Sequence, residues 1–365
     1  MNVSLANLRP RRIALLKPSA LGDIVHSLPV LSALKDLYPA AAIDWVVNQS
    51  FEPLIAGHPD LHATVPFQRA AFKTGLLKAA QYSVQFAGQL RKNRYDLVVD
   101  LQGLLRTGLM AAATGAPVRL GLANAREASH RFYTHRIAVP DADALHAVDR
   151  YWRIVEALGG GHLAKRFHVP LHPLELESVG RDFAAFPRPW MAVAPGSKWL
   201  TKRWPPAHFA AVADRAQNEF GGTVFLVGAG EDAPLAGAIR TQLRGSCIDL
   251  TGKTSLPRLA ALLSRADVMI ANDTGPLHLA AAIGTPCIAP YTCTKAVKHG
   301  PYGLRHTGVE TTVACAGSYL RVCPNQMICM DELTPEKLWP SLSGVLASKL
   351  SDSTFRLHPP PLCGK

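Results

Sequence analysis

The chain has 365 residues, 48% hydrophobic and 18% charged, which suffices for two domains of ordinary size, each with its own core. No apolar run approaches the roughly 20 residues needed to cross a bilayer, and the basic start MNVSLANLRPRR leads into a strand-like run without a small-residue cleavage site, so a cytoplasmic protein is expected. The net charge of +12 is unevenly placed: residues 1–170 hold 20 Lys+Arg against 12 Asp+Glu, and residues 69–136 hold 11 basic against 3 acidic residues. That segment is either a solvated basic face or a surface for an anionic partner. Its few interleaved aromatics and the lack of a recognisable motif argue against nucleic acid.

Short β-rich runs alternate with helical patterns along the chain. RIALLK precedes a helix over about 24–37, AIDWVV precedes a helix over 73–92, and YDLVVDL follows. A second series opens after FPRP: WMAVAPG, a helix near 206–219, TVFLVGAG, a helix through 243, CIDLTG, a helix near 256–264, DVMIAND, a helix from Pro276, PCIAPY, and a last helix near 335–347. This order predicts an α/β protein of two Rossmann-like, doubly wound parallel sheets with helices on both faces. The expected domains are 1–175 and 176–347, with a loose tail at 348–365 that includes FRLHPPPLCGK. Two such domains in tandem are expected to face a cleft with the C-terminal ends of their strands, so function is sought at the strand-to-helix turns.

Four turns carry chemistry. In NDTGPLHLAAAIGTP, Pro276 suits the first turn of a helix, Asp273 and Thr274 are expected to cap free amides, and Gly275 lets a ligand approach. The helix dipole favours a phosphate there, with His278 one turn further on. Together they read as a nucleotide-diphosphate site rather than as a capped helix alone. In PGSKWLTKRWP, Ser197, Lys198, Lys202 and Arg203 suit a diphosphate leaving group, or are merely solvated.

FLVGAGEDA is the third turn: Gly228, Gly230 and Ala233 satisfy G-x-G-x-x-A, and Asp249 follows about 20 residues on. A nicotinamide-dependent oxidoreductase is therefore a rival. Glu231 and Asp232 would repel a pyrophosphate there, and Glu231 is better read as an acceptor for ribose or sugar hydroxyls. The fourth turn, in LLKPSALGDIVHSLPVLSAL, places Asp23 between a buried strand and a helix, with His26 one turn on. Asp23 reads either as a general base or as an N-cap.

Other patterns are weaker. LTGKT is not a P-loop, because Cys247 stands where the first glycine is required, and the D-x-D pattern of Asp141 and Asp143 lies in a loop of the other half. Cys247 and Cys287 read as small buried hydrophobes. Cys315, Cys323 and Cys329, spaced C-x7-C-x5-C, lack the C-x2-C pairs of a zinc site, so no metal is expected, and a disulfide among them would be facultative.

Taken in order, KPSALGDIVHSLPVLSALKDLYP, YDLVVDLQGLLRTGLM, REASHRFYTHR, PGSKWLTKRWP and NDTGPLHLAAAIGTP resemble the bacterial lipopolysaccharide heptosyltransferases of glycosyltransferase family 9, the heptosyltransferase I type above all. The resemblance implies a GT-B architecture with the acceptor in the first domain and the donor in the second, and an inverting transfer without metal or cofactor. It implies ADP-L-glycero-β-D-manno-heptose as donor and Kdo-lipid A as acceptor. The family's catalytic aspartate matches Asp23. Its donor-binding positions match Ser197, Lys198, Lys202, Asp273, Thr274, Gly275 and His278, with Glu231 and Thr254 in more variable loops. Arg69, Lys73, Gln102, Arg106, Arg119, Arg126 and Arg131 would meet the acceptor's carboxylates and phosphates, and their charge would hold the enzyme peripherally on the anionic cytoplasmic face of the inner membrane. A non-catalytic nucleotide-sugar binding protein is the remaining alternative.

Overall fold

A computed structural model describes residues 5–73 and 75–351; of the tail 348–365, expected to be loose, residues 348–351 instead close the helix Pro335–Ser351, and the rest lies outside the described residues. The chain divides between His172 and Pro173 into two units.

The first unit holds six parallel strands: β1 (Arg12–Leu16), β2 (Ala42–Asn48), β3 (Ala63–Phe67), β4 (Leu97–Asp100), β5 (Val118–Leu122) and β6 (His135–Ile137), in the order β3-β2-β1-β4-β5-β6. The second holds β7 (Trp190–Ala194), β8 (Thr223–Leu226), β9 (Ser246–Asp249), β10 (Val268–Ala271), β11 (Cys287–Tyr291) and β12 (Thr307–Glu310), in the order β12-β11-β10-β7-β8-β9. Read from the other edge, the second order is the first repeated, and both are the doubly wound dinucleotide-fold order whose strand sequence reverses at the centre. The reversal falls between β1 and β4 in one sheet and between β7 and β10 in the other.

The central strands are covered on both faces, which is why they read as unbroken apolar runs. Ile13, Ala14, Leu15 and Leu16 of β1, and Met191, Ala192, Val193 and Ala194 of β7, are all buried. In the second unit, Leu338, Leu342 and Leu346 recur at a spacing of four along the helix Pro335–Ser351 and join Met191, Val193, Phe209 and Val212 in one core. Each such leucine contributes about 1.5–3 kcal/mol by leaving water.

Two departures bear on the site. The single helix expected over 24–37 is two, Leu21–Val25 and Leu28–Leu37. Pro29 has no amide to bond the carbonyl four residues back, so the ladder breaks, and the Ser27 hydroxyl bonds Asp23 O at 2.8 Å across the break. The helix Ala147–Ala157 has no counterpart among the expected elements. It buries Val148, Tyr151, Trp152 and Val155 along one stripe and so brings Tyr151 beneath the end of β1.

Candidate active site

At the C-terminal end of β1 the chain changes from apolar to polar within one residue. Lys17 follows Leu16 and is buried, yet its ammonium has partners: Nζ donates to Leu101 O at 2.9 Å and to Tyr151 Oη at 2.7 Å. Tyr151 in turn donates to Asp23 Oδ1 at 3.2 Å, and Lys17 Nζ stands 3.8 Å from the same oxygen. Burial alone would lower the pKa of Lys17, but Asp23 and Tyr151 outweigh it and raise it. The buried cation therefore keeps its charge.

Asp23 is the third residue of the helix Leu21–Val25 rather than a residue of the preceding turn. Its Oδ2 accepts from the Ala20 amide at 3.2 Å, so Ala20 is the N-cap and Asp23 bonds back to it from the third helical position instead of being the N-cap itself. The carboxylate nonetheless stays open, with its side chain 42% exposed.

Basic and polar groups gather beside this turn. Gln102 Oε1 accepts from the Ser19 amide at 3.2 Å, and Arg106 Nη2 donates to Ser19 Oγ at 3.4 Å. Gln102 is placed by Asp100, a buried carboxylate at the end of β4 that accepts from the amides of Gln102 and Gly103 and from the Tyr133 hydroxyl. Burial and then the neighbouring Arg69 charge pull the pKa of Arg106 down, Glu127 opposing them. Two guanidiniums close enough to repel each other make a place where an anion is favoured. Of the other basic positions, Lys73, Arg126 and Arg131 are exposed. Arg119 is committed elsewhere, with Nε donating to Phe132 O at 2.8 Å and Nη1 to Ala116 O at 2.6 Å.

The second unit gathers its candidates at the ends of β7, β8, β9 and β10. Asp273 is buried beyond β10 and binds three partners: Lys202 Nζ at 2.5 Å, Thr294 Oγ1 at 3.3 Å and His278 Nε2 at 3.4 Å. Burial pushes its carboxyl up, but the His278 bond and the Lys202 charge overcome this and hold it well below the usual carboxylate range. Ser197 joins the group by donating to Asp273 O at 3.2 Å, and Arg203 Nε donates to Ser197 O at 2.6 Å. Lys198 is exposed at the same turn.

Asp273 and Thr274 do not cap the following helix, Gly275–Ile283. The Asp273 carboxylate is taken by Lys202, Thr294 and His278, and Thr274, at the N-cap position, makes no side-chain bond to the helix amides. The first-turn amides are thus left for a ligand, in the geometry that suits a phosphate.

Glu231 and Thr254, separated in sequence, lie in neighbouring turns. The Gly252 amide bonds Gly228 O at 2.9 Å, and a Cβ at Gly252 would meet Gly230 Cα at 2.8 Å, so only glycine lets these two backbones touch. The same region disposes of the dinucleotide reading. Asp232 folds back to accept the Ala229 amide at 3.0 Å and packs so closely on Gly196 that a Cβ there would stand 2.1 Å from its Oδ1. The protein's own carboxylate occupies the turn that a pyrophosphate would need.

Cys287 is buried, whereas Cys247 is partly exposed. Cys315, Cys323 and Cys329 are free thiols that line, with Cys293, a cavity of about 30 Å³. Among the described residues no three His, Cys, Asp or Glu side chains are gathered so as to hold a metal.

Sequence reasoning missed Lys17, Tyr151 and Thr294. Lys17 had a usable signal, a lysine closing an apolar strand; Tyr151 had none, lying 128 residues from Asp23.

Two Rossmann-type sheets in tandem, each with polar groups at its C-terminal edge, define a GT-B glycosyltransferase. Residues 83–328 match the model of glycosyltransferase family 9 (heptosyltransferase), and the chain belongs to that family. It is 28% identical to lipopolysaccharide heptosyltransferase 1 of Pseudomonas aeruginosa, over 94% of this chain and 100% of that one. Its fold is similar to that of the family 9 glycosyltransferase of Veillonella parvula, with a TM-score of 0.82 at 22% identity over 95% of this chain and 99% of that one. It is also similar to that of the E. coli heptosyltransferase WaaC with ADP, with a TM-score of 0.72 at 22% identity over 92% and 99%.

Proposed function

We propose that this heptosyltransferase moves heptose from ADP-L-glycero-β-D-manno-heptose to Kdo of lipid A in assembly of the lipopolysaccharide inner core. The near full-length likeness to a lipopolysaccharide heptosyltransferase 1 supports the substrate pair. The observation that carries the mechanism is the half-exposed Asp23 carboxylate, held through both oxygens and flanked by Arg106, Gln102 and Ser19.

Asp23 takes the proton of a Kdo hydroxyl as that oxygen attacks the anomeric carbon, which passes through an oxocarbenium-like transition state and inverts. Arg69 and Arg106 receive acceptor carboxylate or phosphate. In the second unit the open amides of the helix Gly275–Ile283 and the Lys198 ammonium take up charge on the departing ADP, while Glu231 and Thr254 meet donor hydroxyls. Lys202 acts through Asp273, whose negative charge already offsets it.

The membrane contact belongs to the same reading. Phe72, Leu76 and Leu77 are 48%, 92% and 88% exposed beside Arg69 and Lys73, a mixture of apolar and basic groups that suits an anionic lipid surface. No helix among the described residues is long and apolar enough to cross a membrane. Incubation of the purified protein with ADP-heptose and Kdo-lipid A, followed by mass spectrometry of the lipid, tests the function. One heptose should be added per acceptor, and donor binding without a product would leave a nucleotide-sugar binding protein instead.

A further inference from the structure

We propose that Lys17 and Tyr151 are positioning residues for the transfer, a buried cation and a hydroxyl that together hold the Asp23 carboxylate fixed in rotation; this rests on Asp23 being the base. Asp23 Oδ1 is tied inward by the Tyr151 hydroxyl at 3.2 Å and Oδ2 by the Ala20 amide at 3.2 Å. A carboxylate oxygen has two acceptor sites, so each keeps one for a substrate proton while the plane of the group is set. Holding that plane shortens the search for a reactive geometry.

The arrangement is costly if its role is support alone. Lys17 is 3% exposed in its side chain, against 42% for Asp23, and hydrophobic groups of similar volume often serve stability as well as a buried ion pair does. The ammonium spends two bonds on Leu101 O and Tyr151 Oη and lies 4.6 Å from the Tyr151 ring centre, so it cannot swing away. Its charge reaches Asp23 directly at 3.8 Å and through one hydroxyl. The other groups facing the pair are Asp100 from β4, which acts on Lys17, and Arg150 from the helix Ala147–Ala157, which acts on Tyr151. Arg106 approaches from Ser19.

Lys17→Met, Tyr151→Phe and Asp23→Ala are compared with the wild type by kcat and by KM for ADP-heptose, with folding checked by circular dichroism. A carboxylate released from its tether should lower kcat by about 10- to 100-fold in Lys17→Met and by less in Tyr151→Phe, with KM for the donor unchanged in both. Should Lys17→Met fail to fold, the near-isosteric Tyr151→Phe decides by the same split. An inactive Asp23→Ala beside folded Lys17 and Tyr151 variants of wild-type kcat would overturn the positioning role and leave the base in place. An Asp23→Ala of undiminished rate would overturn both.

Discussion

Asp23 and Asp273 each follow a central strand and each pair with a lysine, yet the two pairs are built in opposite senses. In the first unit the cation is sunk, 3% exposed, and the acid is open, 42% exposed, with 3.8 Å between them and a tyrosine hydroxyl bridging. In the second both are sunk, 16% and 9% exposed, in direct contact at 2.5 Å, and the acid's remaining capacity goes to His278 and Thr294. A carboxylate of the first kind can take a proton from a substrate. One of the second kind cannot without dismantling its surroundings, and its work is to fix Lys202, His278 and the entry to the helix Gly275–Ile283. Both are aspartates paired with a lysine near the start of a helix that follows a strand, so exposure and partner geometry decide the chemistry.

The largest expected effect breaks the comparison at its first member. Asp23→Asn keeps the shape and removes the base, and kcat should fall by about 10² to 10⁴ with the affinity for ADP-heptose unchanged in calorimetry. A variant of wild-type rate would make the two aspartates equivalent.

Asp273→Asn comes next. Removing one partner of a buried ion pair costs about 3–5 kcal/mol, measurable as a lowered urea midpoint, and ADP affinity should fall with it as Lys202 and His278 lose their anchor. The pH dependence has a definite sign: the folded-state pKa of Asp273 is depressed, so its stabilisation is fully present above the ordinary carboxylate value of about 3.9 and is lost as pH falls further toward the folded value. Asp273→Asn should lack that acid-dependent component, its stability declining less steeply below about pH 4 than that of the wild type.

Much of this was legible beforehand, and the reasons are local. Alternating apolar strands and helices with Gly, Pro and Asp at the junctions give the tandem doubly wound sheets, because periodicity and turn chemistry are carried by neighbouring residues. Asp23, Asp273 and His278 could be named because each lies no more than seven residues past a strand end, in the strand-to-helix turn or the first turn of the helix after it. The helix break at Pro29 was written in the sequence and overlooked. The bonds of Arg119 to the carbonyls of Phe132 and Ala116 were not legible, since they depend on how β5 and the following loop fold over each other. Tyr151 shows the limit most clearly, for its place below Asp23 arises from packing of the helix Ala147–Ala157 and from no short-range pattern.

A backbone change sharpens what the second unit contributes. Gly252 has φ +71°, and a Cβ there would press on Gly230 Cα at 2.8 Å, an atom of backbone that cannot rotate away. Gly252→Ala therefore combines left-handed strain with overpacking, about 1–3 kcal/mol, and should separate the turns that carry Glu231 and Thr254. Reduced donor affinity at an unaltered KM for the acceptor is expected from paired titrations and kinetics. An equal loss for both substrates would detach these turns from the donor site.

The smallest expected effect concerns the way each unit receives negative charge. The first offers side-chain cations near the surface, Arg69 and Arg106, whereas the second adds to Lys198 the backbone amides at the start of the helix Gly275–Ile283, which no mutation can neutralise and whose direction is fixed by the fold. Arg106→Gln keeps a donor beside Ser19 and removes one charge, and because Arg106 is partly exposed its worth is that of a solvent-screened pair, about 1 kcal/mol. KM for the Kdo-lipid acceptor should rise by roughly fivefold at low salt with kcat little changed, and the gap from the wild type should close as ionic strength increases and the Debye length contracts below about 8 Å. The affinity for ADP, on the proposed site shared between those amides and Lys198, should depend on salt less in both proteins. A gap that persists undiminished at high salt would mean that Arg106 acts through its hydrogen bond to Ser19, and the contrast between a charged edge and an amide edge would then have to be withdrawn for this residue.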